Sequence, residues 1–167
     1  MRTTKQLVLL TLAFGALTFS SCKKKDVAPA VSITATVDGA ATNFNVSAAA
    51  LQGTVSGVTY TNIQGSTTSG GAMLSMTIAG AVTAGKTYSD AATSDDDKPL
   101  FVYATSPTSD DDYLNDDDNA SNLPSVTITS VTSTTIDGTF KGLIGNSSGA
   151  TKSITNGKFH VNIQTHP

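Results

Sequence analysis

The chain has 167 residues, ten Lys+Arg against thirteen acidic residues, and a formal net charge of −3. That sign argues against nucleic acid, whose phosphates demand a basic face, and the length suits one domain with a real core. All thirteen acidic residues are Asp, while Thr and Ser together number 46 and Gly 14. Strong helix formers are therefore scarce, and the composition favours strands joined by turns.

The chain opens with Arg2 and Lys5, then an uncharged run of thirteen residues from Leu7 to Phe19, then Ser20, Ser21 and Cys22. A basic start, a short apolar stretch and small residues make a secretory signal. At about 1.5 Å per residue the run reaches only about 20 Å, short of the roughly 30 Å a membrane span must cover. Cys22 is the sole cysteine. Phe19-Ser20-Ser21-Cys22 resembles the lipobox of a bacterial lipoprotein signal, with Phe19 where Leu is usual. The resemblance implies cleavage before Cys22 and acylation of that residue. Residues 1–21 are then a signal peptide, and the loss of Arg2 and Lys5 leaves eight basic against thirteen acidic groups, a net of −5. Residues 22–30 carry Lys23, Lys24, Lys25, Asp26 and Pro29; they cannot bury apolar area and read as a flexible tether.

From Val31 the pattern turns to period two. Val31, Ile33, Ala35 and Val37 alternate with Ser32, Thr34 and Thr36, then Asp38-Gly39 predicts a hairpin and Ala41 to Val46 the return strand. Ser47 to Leu51 is Ala-rich and reads as a single helical turn. Val58 to Gln64 and Ala72 to Ala79 alternate again, the second with Leu74, Met76 and Ile78 on one face. Leu100 to Ala104 is a short apolar run, read as a strand buried on both sides. Val126 and Ile128 alternate with Thr127 and Thr129. Ile136 to Ile144 places Gly138, Phe140, Gly142 and Ile144 on one face. Lys158 to Gln164 closes the chain with Phe159, Val161 and Ile163 inward and Lys158, His160 and Asn162 outward. The expected fold is all-β, an antiparallel sandwich or barrel of about eight to nine strands, as a single domain over residues 31–167.

Residues 89–124 break that rhythm. Ten of the thirteen Asp lie between Asp90 and Asp118, in three triplets: Asp95, Asp96 and Asp97; Asp110, Asp111 and Asp112; Asp116, Asp117 and Asp118. Adjacent carboxylates repel, and water or a cation relieves them. Asn115, Asn119 and Asn122 add neutral oxygen. Calcium takes six to eight oxygens in flexible geometry, and two acidic loops flanking Leu100 to Ala104 would supply them by converging on one sheet edge, so it is the candidate ion, although no cofactor is required. An EF-hand loop from Asp110 would want oxygen at 114, Gly at 115 and Glu at 121, where the chain has Leu114, Asn115 and Ser121. The competing reading is a solvated pair of loops.

No catalytic residues stand out. Gly145-Asn146-Ser147-Ser148-Gly149 matches the G-x-S-x-G string, but no helix pattern follows and no acidic residue follows Asp137, so the order Ser, acid, His cannot be met. The two histidines, His160 and His166, lack the partners a zinc site needs.

The mature chain as a whole resembles small lipoproteins of Bacteroidetes. The likeness lies in the Cys22 leader, Ala35-Thr36-Val37-Asp38-Gly39, Gly85-Lys86-Thr87-Tyr88, Val126-Thr127-Ile128-Thr129, Ile136-Asp137-Gly138-Thr139-Phe140 and Ile154-Thr155-Asn156-Gly157-Lys158-Phe159. It implies a β-sandwich on a lipid anchor at the outer membrane, on its periplasmic face or at the cell surface. The expected function is a non-enzymatic binding or interaction module, its partner an envelope protein or glycan. The rivals are an envelope hydrolase with an unrecognised site and a structural subunit that exchanges strands.

Overall fold

The computed structural model describes residues 30–55, 57–108, 111–115 and 122–165. The expected signal peptide, Cys22 and all of the tether but Ala30 lie outside these residues. Eleven strands form: β1 (Ser32–Val37), β2 (Ala40–Asn43), β3 (Val46–Val55), β4 (Val58–Ser66), β5 (Met73–Ala79), β6 (Thr87–Ser89), β7 (Leu100–Ala104), β8 (Asp112–Asn115), β9 (Ser125–Val131), β10 (Thr135–Gly145) and β11 (Thr151–Thr165). The only helical element among the described residues is a 3-10 turn at Asp95–Asp97, so none is long and apolar enough to cross a membrane.

The hydrogen-bonded order is β2-β1-β11-β3-β4-β5-β7-β8-β10-β9-β6, and β10 also pairs with β11. Seven strands therefore close a ring through β11, β3, β4, β5, β7, β8 and β10, while β1–β2 and β9–β6 extend it as flaps. One layer is β2-β1-β11-β10-β9-β6 and the other is β3-β4-β5-β7-β8. Two short corners join them. Ile163, Gln164 and Thr165 run parallel to Ala50, Leu51 and Gln52, and Ile144 and Gly145 pair with Asn115 and Leu114. Closure of this kind removes most free strand edges.

Period-two alternation places the core. Ile33, Leu74, Met76, Ile78, Phe101, Val126, Ile128, Ile136, Phe140, Phe159 and Val161 are all buried in one cluster, with Ile163 packed partly against it. Rings from the two layers meet edge-on, Phe101 to Phe140 at 6.4 Å between centroids, a favoured aromatic geometry. Phe44 and Tyr103 do the same at 6.3 Å.

Several local expectations needed correction. Asp38 and Gly39 do form the hairpin, both at positive φ as a type I′ turn requires. The return strand, however, ends at Asn43, and a new strand starts at Val46. The expected helical turn at Ser47–Leu51 is strand inside β3. A five-residue segment cannot offset helix nucleation, whereas pairing with β4 satisfies its backbone. A bulge between Val46 and Ala49, with Ser47 at φ 54°, lets both Ala49 and Ala50 sit buried. β7 is covered on one face only: Phe101 and Tyr103 point inward and Leu100 is 48 % exposed, as in a sheet with one solvated face. The strands β6 and β8 were not foreseen, and β8 lies within the Asp-rich stretch.

The longest strand, β11, carries one extra residue against both neighbours. Thr34 and Thr36 face Lys158 and Thr155, and Phe140 and Gly142 face Gly157 and Ile154. Asn156 absorbs the irregularity at φ 53°. The bulge flips the alternation, so Ile154 and Phe159 both point inward although their separation is odd.

Candidate functional site

The described members of the three Asp triplets fall at two ends of β7. Asp95–Asp97 form the 3-10 turn just before Leu100, and Asp112 pairs with Ala104 at the other end. Asp97 binds Lys86 at 2.6 Å and Asp95 approaches Lys98 at 3.2 Å, so lysines already offset part of this triplet's charge. Asp111 accepts a hydrogen bond from the Asn146 amide at 3.2 Å. The structure thus does not bring Asp95–Asp97 together with Asp111 and Asp112, and the described residues hold no group of three or more metal-ligating side chains. Asp110, Asp116, Asp117 and Asp118 lie outside the described residues. Asn115, one of the proposed oxygen donors, is occupied otherwise. Its carbonyl accepts from Phe101 N at 2.8 Å and its amide donates to Pro99 O at 2.7 Å, so its side chain extends the strand pairing of β7.

Gly145–Gly149 is the tight connection between β10 and β11. Asn146 Oδ1 accepts from Ser148 N, Ser148 Oγ and Ala150 N, and Gly145 pairs with Thr151. A strand follows rather than a helix, so the string lacks the strand-to-helix turn that exposes a nucleophile. His160 is on the outward face of β11, where its Nδ1 lies 2.6 Å from Asp137 Oδ1 on β10. His166 lies outside the described residues.

A recess of about 240 Å³ opens on the outer face of β9, β10 and β11. Its lining includes Ser125, Thr127, Thr139, Lys141, Asn156 and Lys158, with no carboxylate. The strand registers build it: Thr139 lies between Thr127 and Lys158, and Lys141 lies beside Ser125 and opposite the bulge. Below it the strands pack too closely for a side chain on Gly157, where a Cβ would collide with Phe140 O. Sequence reasoning placed Lys158 outward but did not join it to Lys141 and Asn156. The available signal was the outward position of Lys141 between the inward Phe140 and Gly142; the bulge that completes the cluster leaves no composition mark. A second recess of about 70 Å³ adjoins it past Lys141, lined also by Asn122, Ser153 and Thr155.

Comparison of the chain with protein-family models, with curated proteins and with solved structures returned no match.

Proposed function

We propose that this protein is a lipid-anchored β-sandwich of the bacterial cell envelope that acts as a non-enzymatic binding module at the outer membrane. The observation that carries the binding reading over the hydrolase is the character of the larger of the two recesses described above. The larger recess presents lysines, hydroxyls and an amide and no carboxylate or histidine, whereas general acid–base work needs a titratable pair within reach of the same substrate. The interior is filled by apolar side chains from both layers. A strand-exchanging role has less to support it: the terminal strands β2 and β6 have only four and three residues, too short to template an added strand well.

The anchor rests on the leader that ends at Cys22. Cys22→Ala should abolish acylation and leave the precursor unprocessed, with residues 1–21 still attached. Normal processing of that variant, or wild-type protein whose Cys22 carries no acyl mass, would remove the anchor from the proposal. Stable anchoring requires more than one acyl chain, which mass measurement of the N-terminal peptide reads directly. Protease treatment of intact cells separates a surface position from a periplasmic one.

Calcium belongs to this proposal as weak binding local to each acidic loop. A single shared site draws no support from the separation of Asp95–Asp97 from Asp112 along β7.

A further inference from the structure

The described residues contain five lysines: Lys86, Lys98, Lys141, Lys152 and Lys158. Three of them meet an Asp: Lys86 with Asp97, Lys98 with Asp95, and Lys152 with Asp38. The remaining two, Lys141 and Lys158, have no carboxylate partner among the described residues, and both line the larger recess. They are diagonal neighbours across β10 and β11, because Lys158 pairs with Thr139, two residues from Lys141 on the same face. Like charges at that spacing repel. Asp137, two residues from Thr139 in the other direction, is engaged by His160, so the two lysines leave room in this concavity for an anion from outside.

The rest of the lining narrows the ligand. Ser125, Thr127 and Thr139 supply hydroxyls that donate and accept, and Asn156 supplies an amide that does both. Asn156 is held at φ 53° by the β11 bulge, a left-handed conformation that Asn tolerates, and the bulge brings it into the recess lining. The recess, at about 240 Å³, is smaller than the pockets of drug-sized ligands, about 300–1,000 Å³. It suits one end or one unit of a polar chain. The large exposed apolar side chains, Val46, Val55, Val58, Met73, Leu100 and Leu114, all lie on β3, β4, β5, β7 and β8, so this face offers a bilayer no apolar rim.

We propose that the outer recess of β9, β10 and β11 binds an acidic saccharide, with its carboxylate or sulfate between Lys141 and Lys158 and its hydroxyls on Ser125, Thr127, Thr139 and Asn156. This rests on the binding-module reading and gives it a ligand class. A phosphate would meet the same two lysines, so the test must separate the sources.

The processed protein in detergent is titrated calorimetrically with oligogalacturonate, dextran sulfate, neutral dextran, inorganic phosphate and anionic-lipid vesicles. The acidic saccharides should bind and neutral dextran should not. Binding should weaken as salt cuts the screening length from about 10 Å at 0.1 M to about 3 Å at 1 M. Lys141→Ala with Lys158→Ala should weaken it by about tenfold or more, as loss of charge-assisted bonds implies, while Lys158→Arg keeps it and Lys152→Ala leaves it unchanged. An unaltered thermal midpoint for the double variant separates lost contact from lost fold; the single variants Lys141→Gln and Lys158→Gln replace it if it unfolds. Equal affinity of the double variant, equal binding of neutral dextran, or lysine-dependent binding of phosphate or vesicles without the saccharides overturns the proposal. Shortening of a bound oligosaccharide would overturn the non-enzymatic reading and leave the recess standing. Absence of saccharide binding would remove the recess and leave the binding module to its other partners.

Discussion

At the scale of single residues, burial sets the largest effects. Phe140 is 3 % exposed and touches both layers, ring to ring with Phe101 and Phe159. Phe140→Ala should cost about 3–5 kcal/mol in urea or thermal unfolding, and a change within about 0.5 kcal/mol would contradict its placement in the core. Asp38 offers a pH test. A hydrogen bond from Lys152 at 2.7 Å lowers its pKa, burial works in the opposite direction, and the amide of Ser153 at 2.8 Å adds to the lowering. A depressed carboxyl stabilises the fold above its unfolded value of about 3.9, and that contribution is lost as pH falls toward the folded value. Asp38→Asn keeps the carbonyl acceptor for Ser153 and tolerates the positive φ of the turn. The stability gap between wild type and this variant should therefore be constant above about pH 5 and close below about pH 4. Because the side chain is largely exposed the gap will be small, and one that widened on acidification would refute the sign.

At the scale of elements, the short strands depend on side chains that act as backbone. Asn115 bonds Phe101 N and Pro99 O, and Asn45 accepts from Ile33 N at 2.9 Å. Asn115 does so at the last residue of β8, and Asn45 between β2 and β3. Asn115→Ala would leave the amide of the fully buried Phe101 without its acceptor, at a cost of about 1–3 kcal/mol. Faster amide exchange at Phe101 with the rest of the core unchanged is the expected readout; unchanged exchange would show that another group takes over. These clamps were not legible in the sequence, where Asn115 read as one more oxygen in an acidic loop. Alternation was legible wherever one face is buried and the other wet, as in β5, β9 and β10. It failed at β3 and at the bulge in β11, because a single inserted residue reverses the inward set and only the partner strands reveal the insertion.

At the scale of the whole molecule, the closed ring through β11 and β10 joins two layers around one core. The Asp95–Asp97 turn and Asp112 stand at opposite ends of β7, and the lysine-bearing recess lies on β9, β10 and β11. If calcium binds the acidic loops as proposed, unfolding of the mature protein with calcium at 100 times its dissociation constant should show stabilisation by about 2.7 kcal/mol for one site over chelator. Equal midpoints in the two buffers would leave these carboxylates to water and lysine alone.

The sequence by itself determined that the chain folds as β-structure and which side chains fill most of the core. Period-two patterning, Thr and Ser abundance, the lack of Glu and the Asp38-Gly39 turn are all local facts. Tertiary structure decided the rest. The corners that close the ring join residues more than a hundred positions apart in one case, Ile163 with Ala50, and no local pattern encodes such a pairing. The same holds for the recess, since Lys141, Asn156, Lys158 and Ser125 become neighbours only when β9, β10 and β11 fix their register and the bulge turns Asn156 beside them. Which of the described lysines stand without a described acid was settled by where the fold places the described Asp residues, because charge pairing follows distance in space and not position in the chain.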